Sequence, residues 1–178
     1  MVNHNYPAIE FPLCGEWVCL KPPGHHPHAY DFMGVIGTRK NYFSGNYWRY
    51  IFGRVPVDNF YGWSKPIFAP FDGVVVQMSD GWPDRKNISL FDTLFIWFNA
   101  TFLFRPKVVG SKIDIRPNVG NYVMIQPESG VVAFMAHMRC GSIKITTGQQ
   151  VIAGQMIGEV GNSGNTTAHI FTLICLIK

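Results

Sequence analysis

Charge is scarce in this chain. Only 15% of its 178 residues are Asp, Glu, Lys or Arg, and the formal net charge of +4 is scattered through pairs such as Arg39-Lys40 and Arg85-Lys86. A nucleic-acid-binding surface needs a basic stripe or patch, and none is present, which argues against a nucleic-acid partner. Long apolar runs are also lacking. The longest, Phe91 to Phe104, is broken by Asp92 and Asn99 and is too short to span a bilayer, so no transmembrane segment is expected. Cysteine is sparse, with Cys14, Cys19, Cys140 and Cys175 and no Cys-x-x-Cys pair, which speaks against a cysteine zinc knuckle. Free buried thiols are expected, with a local Cys14–Cys19 disulfide as the alternative. The segment Met1-Val-Asn-His-Asn-Tyr-Pro7 has neither a basic n-region nor an apolar h-region, so no signal peptide is visible.

Hydrophobic residues and turn formers are abundant. The former make up 47% of the chain, and 18 Gly and 12 Pro punctuate it throughout. That mixture points to a compact, all-β, mostly antiparallel protein of the sandwich or partly open barrel kind, with loops and short helical insertions. The length suits one domain spanning 1–178. Residues 1–64 form a Pro-, His- and aromatic-rich N-terminal segment, in which Phe11 to Leu20 leads into a strand and Trp48 to Phe52 reads as a short helix or a lid. Residues 65–178 carry the sheet. Strands are expected at Pro66–Phe68, after the Asp72-Gly73 turn, at Asn121–Gln126 and Val131–Met138 (joined by Pro127-Glu-Ser-Gly130), at Ile143–Thr146, at Val151-Ile152 and at Met156–Val160. The insertion at about 87–110 fits an apolar hairpin, a helix or a patch for a partner.

Histidine and carboxylate gathered from distant segments are the raw material of a zinc site. His25, His26 and His28 cluster just before Asp31. His137 ends an apolar run, and His169 follows the Gly/Asn-rich turn Asn162-Ser-Gly-Asn165. Regular alternation would put Ala133, Met135 and His137 on one face, and His169 and Phe171 together on one face of the last strand. His137 and His169, each taken alone, read more readily as ordinary half-buried residues, and Asp31 could likewise be a turn aspartate.

Taken in order, several blocks resemble the lysostaphin-type (LytM-like) zinc endopeptidases that cut peptidoglycan peptides. They are Pro66-Ile-Phe-Ala-Pro-Phe-Asp-Gly-Val-Val75, Gly120-Asn-Tyr-Val-Met-Ile-Gln126, Val132-Ala-Phe-Met-Ala-His-Met138, and Gly141 through Asn165 with its Gly161-Asn-Ser-Gly-Asn ending. The likeness covers roughly 65–80 and 118–170, plus the His/Asp element near 25–33, and its specificity lies in the order of the blocks. It implies a zinc ion held by His, Asp and a second His, with two further histidines assisting. Zinc would acidify a bound water and polarise the scissile carbonyl. By this resemblance Asp31 is the carboxylate ligand, while His137 and His169 are the assisting catalytic pair. The first ligand is assigned to His28, with His26 as runner-up. The family's usual i, i+4 spacing falls on Pro27, and Ala29-Tyr-Asp-Phe32 resembles members with a loop between the two ligands. A bend or bulge is then needed to bring His28 and Asp31 onto one face. The implied substrate is a peptidoglycan or other peptide, and the family's usual location is outside the cytoplasm.

The chain departs from this pattern at Phe171. The resemblance puts the second zinc-ligand histidine there, and phenylalanine cannot coordinate zinc. On that reading a Phe171→His variant should gain zinc. Codon degeneracy offers a source for the departure. Reading the codons of Ala168 to Lys178 from the third base of the Ala168 codon permits Pro-His-Leu-His-Phe-Asn-Leu-Leu-Asp-Lys, the family's own ending, directly after Asn165-Thr-Thr-Ala168. The expectation is a frameshifted peptidase gene. Two function classes follow: a zinc metallopeptidase of cell-wall peptides, impaired or intact, and a non-catalytic module of the same fold that binds peptidoglycan or regulates a hydrolase.

Overall fold

The structure is a computed structural model, which describes residues 9–21, 28–38, 41–99, 107–109, 112–128, 131–166 and 170–177. Its strands are β1 (Trp17–Leu20), β2 (Ala29–Gly34), β3 (Val55–Pro56), β4 (Pro66–Phe68), β5 (Gly73–Ser79), β6 (Asn87–Ile88), β7 (Lys107–Val109), β8 (Lys112–Asp114), β9 (Asn121–Gln126), β10 (Val131–Met138), β11 (Gln150–Val151), β12 (Met156–Glu159) and β13 (Ile170–Ile177). Three short helices interrupt them: α1 (Tyr47–Phe52), α2 (Leu90–Phe98) and α3 (Arg116–Val119).

Seven strands form one antiparallel sheet in the order β1-β2-β13-β10-β9-β5-β11. The sheet is not closed; β1 and β11 are its edges. The β4–β12 ribbon packs over one face. There Val75, Val123, Ile125, Ala133, Met135, Met138, Phe171 and Leu173 from the sheet meet Ile67, Ile157 and Val160. This is the main core, and each large side chain sealed in it contributes roughly 1.5–3 kcal/mol from burial. The other face has its own cluster of Tyr122, Phe134 and Ala136, with Met124, Val119 and Ile174 against it. Alternating residues of β9 and β10 therefore serve two different apolar layers, which is why these strands read as nearly continuous hydrophobic runs.

The expected strand at Ile143–Thr146 does not form. Ile145 is buried, but Lys144 N–H donates a lone ladder-like bond to the Ile157 carbonyl at 3.0 Å, and the segment runs on without pairing. Trp48 to Phe52 lies in α1, whose start is capped by Asn46 Oδ1 accepting from the Trp48 N–H at 2.9 Å. The insertion at about 87–110 contains helix α2 and strand β7, which pairs with β8 just beyond it. A reciprocal capping box nucleates α2, with Ser89 Oγ accepting from Asp92 N–H and Asp92 Oδ2 accepting from Ser89 N–H. Its outer side is apolar, with Phe91 73% exposed. Around α1 and α2, Phe43, Tyr50, Val55, Val57, Phe60 and Ile88 make a second, aromatic core. Cys14, Cys19 and Cys140 are free, as expected, but exposed rather than buried, since the edge strand β1 leaves Cys19 facing solvent. No helix among the described residues is long and apolar enough to cross a membrane.

Candidate active site

The sheet brings three segments together at β2, β13 and β10. The register pairs Asp31 with Thr172 across β2–β13, and Thr172 with Ala136 across β13–β10. A single row thus runs Asp31–Thr172–Ala136 over three strands. Asp31 is only 3% exposed, and the Thr172 hydroxyl donates to its Oδ1 at 2.6 Å. A buried carboxylate needs such donors, because an unsolvated charge would cost several kcal/mol. Phe171 lies on the other face. It pairs with Phe32, is fully buried, and its ring packs 6.4 Å from the Phe32 ring in the main core.

His137 reaches the site by a bulge. Met135 pairs with Val123, but Met138, not His137, pairs with Asn121, so Ala136 and His137 together oppose Tyr122. The bulge removes His137 from the face expected for it: Ala133, Met135 and Met138 point into the core, and His137 does not. Its φ of 60° is one of two positive values among non-glycine described residues, a backbone state that ordinary side chains adopt only when their surroundings enforce it. The enforcement is visible. Gly161 N–H donates to the His137 carbonyl at 3.0 Å, and His137 Nδ1 lies 2.9 Å from the Ser163 carbonyl. A carbonyl only accepts, so Nδ1 carries the proton and Nε2 bears the lone pair in the neutral ring. That orientation suits a group that takes up or returns a proton at Nε2.

A set of polar residues, not singled out beforehand, holds this geometry. Ser163 Oγ donates to the Met138 carbonyl at 2.7 Å and accepts from Asn121 N–H at 2.9 Å. Asn121 Nδ2 donates to the Met138 and Trp82 carbonyls, and its Oδ1 accepts from Trp82 N–H. Gly120, at φ 64°, lies so close to Ser163 that a Cβ would overlap it. The loop ahead of β13 is clamped from outside. Asp84 accepts from the Asn162 and Cys140 N–H groups at 2.7 Å each, and Arg85 Nη1 donates to the Gly164 and Thr166 carbonyls. Burial pushes the Asp84 carboxyl above its ordinary range despite those two donors, and pushes the Arg85 guanidinium below its own. The signal for this network was the Gly120-Asn121 step and the Asn162-Ser163-Gly164 turn. Both blocks carried the family likeness, but neither spacing revealed that the two would bond to each other.

His28 is an exposed turn residue immediately before β2. The bulge needed to swing it to the side of Asp31 is not there: β2 pairs with β13 in unbroken register from Ala29 to Met33. Three residues of extended chain separate the two positions by about 10 Å. His25, His26 and His169 lie outside the described residues. Among the described residues no group of three His, Cys, Asp or Glu comes together as a metal-binding set. Asp31 contributes a suitable oxygen, but Thr172 and Leu20 flank it in the sheet, and Ala136 lies beyond Thr172. These residues therefore do not fit a zinc ion, which takes three or four N, S or carboxylate donors.

Among solved structures, the fold resembles a zinc-containing peptidase from Vibrio cholerae, at 16% identity and a TM-score of 0.50, with 95% of this chain and 37% of that one covered. The chain thus spans just over a third of that protein's length. It also resembles the catalytic domain, in a mutant form, of the prophage-encoded M23 protein EnpA from Enterococcus faecalis, again at 16% identity and a TM-score of 0.50, with 96% and 95% covered. The fold is that of the M23 peptidases. Residues 106–174 independently match the model of peptidase family M23. That stretch contains β9, β10 and the Ser163 loop.

Proposed function

We propose that this chain is a LytM-like peptidase domain directed at peptides of the peptidoglycan type, and that hydrolysis is crippled in the sequence as it stands. Asp31 carries this reading. It lies buried on the site side of the sheet, where the family likeness expects a metal-binding carboxylate, yet its partner across β13 is a hydroxyl. His137 is oriented for proton handling by the Ser163 carbonyl, so one half of a hydrolytic site stands while the donor set among the described residues is short. On this reading the domain binds a peptide without turning it over. This merges the two classes open from the sequence: peptidase by descent, binding module by present chemistry.

The test uses the full chain with purified cell-wall sacculi and a glycine-rich peptide. Co-sedimentation with sacculi, no stoichiometric zinc by elemental analysis and no cleavage are the expected results. Cleavage that a chelator abolishes would overturn the crippled-site reading. Absence of any binding to sacculi or peptide would overturn the substrate reading.

A further inference from the structure

We infer that the metal-donor position lost from β13 is residue 172, not residue 171, and that Thr172 now closes the gap by bonding to Asp31. The inference rests on the peptidase reading above and concerns how this chain departs from it.

The register argues first. In an antiparallel pair, directly opposed residues point to the same side, and neighbours along a strand point to opposite sides. Residue 172 opposes Asp31, so a side chain there reaches the carboxylate. Residue 171 opposes Phe32 and is sealed among Met135, Val123 and Leu173. An imidazole at 171 would sit in the apolar core, on the far side of the sheet from Asp31, where neither ring nitrogen gains a metal. The Thr172 hydroxyl, 2.6 Å from Asp31 Oδ1, already occupies the approach a donor atom would use.

The coding argument is independent of the register. With Ala168 kept, the alternative frame permits Pro, His, Leu and His as the next four residues. The second histidine then falls at 172, and the intervening leucine falls at 171, where a large apolar side chain is what the core requires. The sheet geometry and the codon arithmetic select the same position, and the same change of frame accounts for both residues.

Three full-length proteins decide it: the chain as given, T172H and F171H, each checked for fold by circular dichroism and for zinc by elemental analysis after dialysis. T172H is expected to retain more zinc than the other two, because it alone sets a nitrogen donor opposite Asp31. Zinc in F171H without zinc in T172H overturns the assignment, as does stoichiometric zinc in the parent. Should T172H fail to fold, T172C replaces it, since cysteine is close to threonine in volume. Cobalt(II) should then give a thiolate-to-metal absorption band that disappears in T172C/D31N. A folded T172C without that band overturns the inference. Peptide binding separates this idea from the functional one. Zinc uptake by T172H with no affinity for cell-wall peptides sinks the function and spares the site. Peptide binding by the parent with no metal in any position-172 variant does the reverse.

Discussion

Residues 171 and 172 are neighbours, yet they belong to different parts of the molecule. Phe171 is a core residue, fully buried against Phe32 and the β4–β12 layer. Thr172 is a site residue, bonded to a carboxylate 141 positions away in the chain. What separates them is the pleat of one strand. A period of two makes the assignment of function along β13 unforgiving: a shift of one residue exchanges the demands of the core for those of the site. The chain satisfies both demands, a large ring inward and a short hydroxyl outward. That suits the protein to folding.

Breaking the inward side should have the largest effect. Phe171→Ala opens a cavity in the core and is expected to cost about 3–5 kcal/mol, read as a lower urea midpoint. An unchanged midpoint would mean that Phe171 is not part of the core. Thr172→Val keeps the shape and removes only the hydroxyl. It should cost roughly 1.5–3 kcal/mol, because the buried Asp31 oxygen loses a hydrogen bond to a charged group. Equal losses from both variants would erase the distinction between the faces. Ser163→Ala orphans the Asn121 N–H and frees the bulge. A loss of roughly 1–2 kcal/mol is expected, together with a shifted imidazole NMR signal for His137. Asp84→Asn should have the smallest effect, and it appears in the pH dependence. The folded-state pKa of Asp84 is raised, so the native chain holds that proton more tightly than the unfolded one, and the resulting stabilisation is lost as pH rises through the folded-state value. The stability of the parent relative to D84N should therefore rise as pH falls from neutral towards the carboxylate range. A flat difference would show that the clamp does not bury the charge.

Much of the sheet was legible because its signals are local. Alternation and turn residues marked β5, β9 and β10, and the paired blocks around Gly120 and Gly161 carried the likeness to the LytM-like peptidases. The open sheet with short helices agrees with the all-β reading. The bulge at His137 was not legible. Val131 to Met138 reads as an unbroken strand, and what kinks it is Ser163 and Gly161, which arrive from a loop more than 20 residues later. The same blindness affected Ile143–Thr146, where local β-propensity found no neighbouring strand to satisfy. Asp31 was identified as a candidate from its histidine neighbours, but which β13 residue faces it depends on register. Register is fixed by pairing, and nothing in the strand's own composition announces it.

The strand order has a consequence for how the molecule comes into being. In the seven-stranded sheet, β13 stands between β2 and β10, so β1 and β2 join the rest of the sheet through a strand whose Thr172 lies 141 positions after Asp31. During synthesis the Asp31–Thr172 hydrogen bond cannot form until residue 172 has left the ribosome. β13 is therefore a seam as well as a site wall. A chain cut before Ile170 should release β1 and β2 as a hairpin and leave β10-β9-β5-β11 with a raw edge at β10, an invitation to pair with another copy.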